Sequence, residues 1–222
     1  MQNDLVQFVC NKDYEKIREG LSSNAALANE GIALNDNCSS KKGHPLHRIC
    51  DAVFAKKITD DEAIEIAKIF LQSGANIDGY KSLGDNNTPL IAAASLHAEN
   101  LGIFYIGQGA DIFYASPNDG ATALHWAAYC GRDKLVSKLI EKGANLDQHD
   151  TMFDGTPVDW AVHELSSNPD SDNIYHQPLC IKLLLKAGTD INQLHENTVR
   201  YLQELSSTDE EIKSYLGKSS DH

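Results

Sequence analysis

Two short words recur along this chain, and they recur in step. One opens a segment: Gly43-His-Pro-Leu-His47, Asn87-Thr-Pro-Leu-Ile91, Ala121-Thr-Ala-Leu-His125 and Gly155-Thr-Pro-Val-Asp159. The other closes it: Gly74-Ala-Asn-Ile-Asp78, Gly109-Ala-Asp-Ile-Phe113, Gly143-Ala-Asn-Leu-Asp147 and Gly188-Thr-Asp-Ile-Asn192. The starts at His44, Thr88, Thr122 and Thr156 lie 44, 34 and 34 residues apart, and the glycines 35, 34 and 45 apart. Two phases that advance together exclude chance similarity of one short word. They point to one supersecondary unit used four times.

Physical chemistry explains the residues in the words. Threonine at a helix start accepts a bond from an orphan backbone N–H. Proline beside it fits the first turn, where its missing N–H costs nothing. Leu46, Leu90, Leu124 and Val158 then face a core. Ala92-Ala-Ala94 and Ala127-Ala128 let a second helix approach closely. That helix is apolar at helical spacing, as in Leu135, Val136, Leu139 and Ile140, or Ile181, Leu183, Leu184 and Leu185. Glycine closes it in a left-handed cap. Ile77, Ile112, Leu146 and Ile191 are expected to tuck the following hairpin against the stack.

Thr122-Ala-Leu-His-Trp-Ala-Ala128 resembles the T-P-L-H-x-A marker of the ankyrin repeat, whose period is about 33 residues. The resemblance covers about 43 to 192. It implies an all-α repeat solenoid of helix pairs joined by hairpin loops. On that reading 1–222 is a single domain with repeats at 43–81, 82–115, 116–149 and 150–193. Capping helices occupy 1–42 and 194–216, and 217–222 is a frayed tail. Leu5, Val6, Phe8 and Val9 with Tyr14, Ile17 and Leu21 supply the first cap. The second is built from Asn197 to Leu205 and from Thr208 to Leu216, with Thr208-Asp-Glu-Glu211 as a capping box. Polar outer faces on end repeats keep a solenoid soluble.

Two copies are long. From start to terminal glycine an ordinary copy takes 21 residues, the first takes 30 and the last 32. The first excess, around Asp51 to Thr59, stays helix-friendly, and Thr59-Asp-Asp-Glu62 is a capping box that restarts the second helix. The other, Ser166 to Asn173, reads as a solvated loop followed by Tyr175 and His176.

Composition narrows the function classes. Net charge is −13, with 19 Lys+Arg against 32 Asp+Glu. Such a surface repels nucleic acid and anionic membranes and favours a basic protein partner. The bias is strongest from His149 to His222, which carries −8 of the total, and Ser82 to Ala115 contains no Lys or Arg. The N-terminus does not read as a signal peptide, and no run of 18 apolar residues occurs. The five cysteines, Cys10, Cys38, Cys50, Cys130 and Cys180, are odd in number and irregular in spacing, which fits a reducing compartment. A cytoplasmic monomer is expected, unless a signal-independent route exports it.

The repeats also carry residues of reactive types. His44, His47 and Cys50 have zinc-ligand character, but the resemblance makes His47 and His125 the family's own histidines, which brace loops by hydrogen bonds. Cys130 near His125 or His149 is the candidate for a thiol nucleophile, which needs a lowered pKa and an oriented base. Asp150, Asp154 and Asp159 fit a turn and a helix start better than a carboxylate pair. No phosphate loop, GxSxG or HExxH is present. A non-enzymatic interaction module without cofactor is therefore expected, with a small metal or thiol enzyme using His44, His47 and Cys50, or Cys130, as the alternative.

In ankyrin stacks the hairpin tips and the first helices form a concave face. Carried over copy by copy, that nominates Tyr80, Asp85, Phe113, Tyr114, Asn118, Asp119, His149, Met152 and Phe153 on hairpins. On first helices it nominates Asp51, Leu96, Tyr129, His163 and Glu164. Phe113 stands where Asp78 and Asp147 are polar, and aromatics beside acids make good binding anchors.

Overall fold

Helix starts follow from the caps. The computed structural model describes residues 2–33, 42–79, 87–167 and 176–218. Cys38, Tyr80, Asp85, Tyr175 and most of the second insertion lie outside the described residues. Thr88 Oγ1 accepts from the Ile91 N–H at 3.3 Å, with Pro89 in the first turn. The Thr59 box closes both ways: the Glu62 N–H donates to Thr59 Oγ1 at 3.2 Å, and the Thr59 N–H to Glu62 Oε2 at 2.8 Å. His44 replaces threonine by offering its Nδ1 to the Leu46 N–H at 3.3 Å.

The helices gather into two compact units, Met1–Asp111 and Ile112–His222. The first holds α1 (Gln2–Asn11), α2 (Tyr14–Ser23), α3 (Pro45–Phe54), α4 (Asp60–Gln72), α5 (Pro89–Ser95) and α6 (Glu99–Gly107). α3 and α4 are longer than α5 and α6, so the first insertion lengthens helices as expected. α1, α3 and α5 pack in one layer, and α2, α4 and α6 in the other. Leu5, Ile17, Leu21, Leu46, Ile66, Phe70, Leu90, Leu101 and Tyr105 fill the space between. The Tyr105 hydroxyl donates to the Leu46 carbonyl at 2.9 Å, tying α6 to α3. The N-terminal cap is not purely helical: β1 (Ile32–Ala33) pairs antiparallel with β2 (Lys42–Gly43).

The second unit holds α7 (Ala123–Tyr129), α8 (Asp133–Glu141), α9 (Pro157–Ser167), α10 (Gln177–Ala187), α11 (Glu196–Ser206) and α12 (Glu210–Lys218). Here α7, α9 and α11 form one layer and α8, α10 and α12 the other. The last helix begins one residue later than the expected box. Asp209, not Thr208, accepts from the Glu211 and Ile212 N–H groups, while the Thr208 hydroxyl turns back to the Leu205 carbonyl. Carboxylate competes better than hydroxyl for helix N-terminal donors, and Lys182 holds Asp209 at 2.6 Å. The helix also runs through Gly217 to Lys218, into the stretch expected to fray.

Closing glycines Gly74, Gly109, Gly143 and Gly188 have φ of 90°, 91°, 83° and 101°, where a Cβ is strained. The last residue of the closing word has a job that sequence spacing did not show. Asp78 Oδ1 accepts the Asp111 N–H at 2.8 Å, and Asp147 Oδ1 accepts the Asp190 N–H at 2.9 Å. Each carboxylate stitches its hairpin to the next. The isoleucines and leucine of the closing words are half-buried, sealing the hairpins without entering the core.

α6 has no capping side chain of its own, because its N-cap is Ala98. Asp60 supplies one from α4, accepting from the Asn100 and Leu101 N–H groups at 2.6 and 2.9 Å. Asp60→Ala is expected to lower stability by about 1–2 kcal/mol, measured as a shift in urea midpoint. An unchanged midpoint would show the α6 donors to be satisfied by water.

Candidate functional site

The densest chemistry lies in the loop 150–155 and the two helices beside it. Asp150 is 2% exposed and its carboxylate accepts four bonds. Oδ1 takes the Met152 and Phe153 N–H groups at 2.8 and 2.7 Å. Oδ2 takes the Gly155 N–H at 2.8 Å and the Trp160 indole N–H at 3.0 Å. Burial alone raises the pKa of this carboxyl, but the bonds from Trp160 and the three amides outweigh it and hold the value low.

Three imidazoles grip the same loop from outside. His125 Nε2 lies 3.2 Å from the Gly155 carbonyl, while its Nδ1 accepts the Thr122 N–H at 3.1 Å. His149 Nδ1 and His195 Nε2 both reach the Asp154 carbonyl, at 2.7 and 2.9 Å. Asp154 sits at φ 55°, a conformation aspartate tolerates, which turns its carbonyl toward the two rings. For His149 burial works against the charged form, and the bond and charge of Asp154 prevail to raise its pKa.

Held this way, the loop presents Met152 and Phe153 at 62% and 63% exposure. Behind them rings meet edge to face: Trp126–Trp160 at 5.2 Å, Tyr129–Trp160 at 5.9 Å, Trp126–Tyr129 at 6.0 Å and Phe153–Trp160 at 6.2 Å. Together with Gly155, Asp159, His163 and His195 they line a cleft of about 470 Å³. Tyr129 is pushed up to about 12, first by burial and then by its hydrogen bond to Glu164. Its phenol therefore stays a neutral donor.

Sequence reasoning nominated Tyr129, His149, Met152, Phe153, His163 and Glu164; Tyr129, Phe153 and His163 line the cleft, His149 holds the Asp154 carbonyl, Met152 precedes Phe153 on the loop, and Glu164 bonds Tyr129. It missed Trp126, Trp160 and His195. The tryptophans were legible, since both occupy the variable place in the opening word, Thr122-Ala-Leu-His-Trp126 and Thr156-Pro-Val-Asp-Trp160. Asp119 does something else: its carbonyl accepts the Thr151 N–H at 2.7 Å, bracing one hairpin against the next. Phe113 is 65% exposed, Tyr114 is half-buried and Asn118 is exposed. Asp51 and Leu96 belong to the first unit, where Asp51 pairs with Arg48 and Leu96 ends α5.

The acid-base candidates resolve into structure. Asp159 stands where His125 does in the previous copy and plays the same part, accepting the Thr156 N–H and hydroxyl at 2.8 Å each. Its other oxygen accepts the His195 N–H at 3.0 Å. His44 has both nitrogens engaged, Nδ1 accepting from the Leu46 N–H and Nε2–H facing Asn29 Oδ1 at 3.2 Å, so its one lone pair is not offered to a metal. Burial raises the Cys50 thiol well above its usual range and pushes Cys130 up to about 11. A nucleophilic thiol needs the opposite shift.

Comparison with known proteins agrees with this architecture. The family model for ankyrin repeats in three copies matches residues 53–150 and, again, 99–195. This chain belongs to the ankyrin-repeat family. It is 28% identical over 148 residues to ankyrin repeat protein OPG189 of Variola virus, covering 66% of this chain and 24% of that protein. It is 26% identical over 152 residues to ankyrin repeat and SOCS box protein 6 of Mus musculus, covering 68% and 34%. Over 99 residues it is 35% identical to the inactive serine/threonine-protein kinase TEX14 of Bos taurus, covering 43% and 6%. The chain thus spans only a quarter to a third of the length of its first two relatives. What is shared is the ankyrin scaffold, a protein-interaction module. No helix among the described residues is long and apolar enough to cross a membrane.

Proposed function

We propose that this ankyrin domain is a non-enzymatic binding module whose partner docks on the aromatic cleft and its Met152–Phe153 rim. One observation carries the reading. Two large apolar side chains stand out in solvent on a loop fixed by four bonds to a buried carboxylate. A chain selected only for folding gains nothing from holding such side chains outward. A rigid display lowers the ordering cost of association. Aromatic anchors with partly desolvated surroundings are where binding energy concentrates. Thiol and metal chemistry at Cys130, or at His44, His47 and Cys50, is disfavoured by the raised thiols and the committed imidazole.

The test is affinity capture from the native source, comparing the wild-type domain with Met152→Ala/Phe153→Ala. Both side chains are exposed, so the double variant should keep its circular dichroism and thermal midpoint. Partner retention is expected to fall about 30-fold or more, as loss of two central anchors at 1–2 kcal/mol each implies. A partner retained equally by both proteins places docking elsewhere, with Phe113 and Tyr114 the next surface to mutate.

A further inference from the structure

We propose that the cleft between α7 and α9 takes an arginine side chain from an extended segment of the partner. This rests on the docking reading above and adds its chemistry. Trp126, Tyr129 and Trp160 meet pairwise at 76–77°, so each ring leaves a face turned away from its neighbour's edge. Aromatic faces carry negative potential and attract cations, arginine most often. Two carboxylates stand at the cleft beside His163 and His195: Asp159 lines it with its oxygens accepting from Thr156 and His195, and Glu164 is hydrogen-bonded to the Tyr129 hydroxyl. From Gly143 to Ile181, the stretch that supplies the loop and α9, there are seven Asp and Glu and no Lys or Arg. Arg132 is held by the Cys130 carbonyl at 2.7 Å, and Arg200, which lines the adjoining groove, pairs with Glu196 at 3.4 Å.

An apolar anchor in this cleft strips water from carboxylates without replacing it, which is costly. A guanidinium lies flat on indole and forks onto carboxylate, meeting both demands at once. Lysine offers a smaller, more strongly hydrated charge. The extended backbone is suggested by a second observation. Trp126 Nε1 is buried and has no acceptor among the described residues, so a peptide carbonyl flanking the arginine supplies one once the indole turns to meet it. A polar groove of about 390 Å³, sharing Asp159, His163 and His195 with the cleft, runs on between α9 and α11 and gives that backbone room.

The chain provides its own reporter, because Trp126 and Trp160 are its two tryptophans. The experiment titrates acetyl-Gly-Arg-Gly-amide into the 222-residue chain, following tryptophan fluorescence and the two indole N–H cross-peaks. Peptides with citrulline, norleucine or lysine in place of arginine are run alongside. The arginine peptide is expected to give a saturable response that shifts the Trp126 indole peak. Citrulline, which keeps the shape without the charge, should bind about tenfold more weakly, with lysine between. Glu164→Gln keeps a partner for Tyr129 and should weaken the arginine peptide about fivefold, with circular dichroism unchanged. Citrulline or norleucine binding as tightly as arginine overturns the proposal while leaving the docking reading intact, since the cleft then takes a neutral anchor. Silence from every peptide also overturns it, and the docking reading is then decided by the Met152→Ala/Phe153→Ala capture alone.

Discussion

Asp150→Ala is expected to destabilise the second unit by roughly 3–5 kcal/mol and to abolish partner binding with it. The carboxylate is buried and answers three backbone N–H groups and one indole. Alanine leaves all four donors without their acceptor, and each buried orphan costs about 1–3 kcal/mol before water re-enters. Asp150→Asn should fall between, because the amide keeps one acceptor and turns an NH₂ toward donors. Both tryptophans lie in this unit, so urea unfolding followed by their fluorescence reads it directly. The carboxyl sits below its ordinary 3.8. Its contribution is therefore complete above that pH and is lost as acid carries the solution below it. A loss under about 1 kcal/mol means that the three histidine contacts hold the loop by themselves. Met152→Ala/Phe153→Ala separates the two consequences, since it should spare stability and remove binding.

Local grammar carried most of the fold. Thr59, Thr88, Pro89 and the four left-handed glycines act within one turn of their own positions, so a linear reading finds them. The Thr59–Glu62 box formed as written because both partners sit three residues apart. The box expected at Thr208 gave way to its neighbour Asp209, the stronger acceptor, helped by Lys182 from another helix. Longer reaches were invisible. Asp60 capping α6, Asp78 stitching hairpins and His195 gripping loop 150–155 join residues about 30 to 40 positions apart. No spacing rule announces such pairs until the repeats are stacked. The cleft was half legible for the same reason. Phe153 and Tyr129 stood out as aromatics at tolerant positions, whereas Trp126 and Trp160 hold the variable place of the opening word, to which the sequence reading gave no role. Only packing shows that this variable place faces outward and that two successive copies bring their indoles within 5.2 Å.

The first repeat carries a second large effect, and acid reveals it. His44 does the work of the capping threonine only while neutral, because its Nδ1 must accept from the Leu46 N–H. Burial, with repulsion from His47, pulls its pKa down from 6.5 to about 4. In the unfolded chain the ring takes up its proton near 6.5, so acid favours unfolding through that interval. Above pH 6.5 the contribution is whole; between 6.5 and about 4 it falls away, by about 3 kcal/mol at the limit. Protonation also sets a new N–H against the Leu46 donor, whereas the Nε2–H bond to Asn29 Oδ1 survives. His44→Thr restores the cap that Thr88 provides in the next copy and has no proton to take up. At pH 7 the variant should match the wild type within about 1 kcal/mol. On acidification the wild type should weaken and the variant lag behind, read from hydrogen exchange of the α3 and α4 amides between pH 7 and 4.5. Carboxylates titrate equally in both proteins, so their loss cancels in the comparison. Parallel acid profiles would mean that His44 relaxes into solvent on protonation, and that the cap is worth far less than its burial implies.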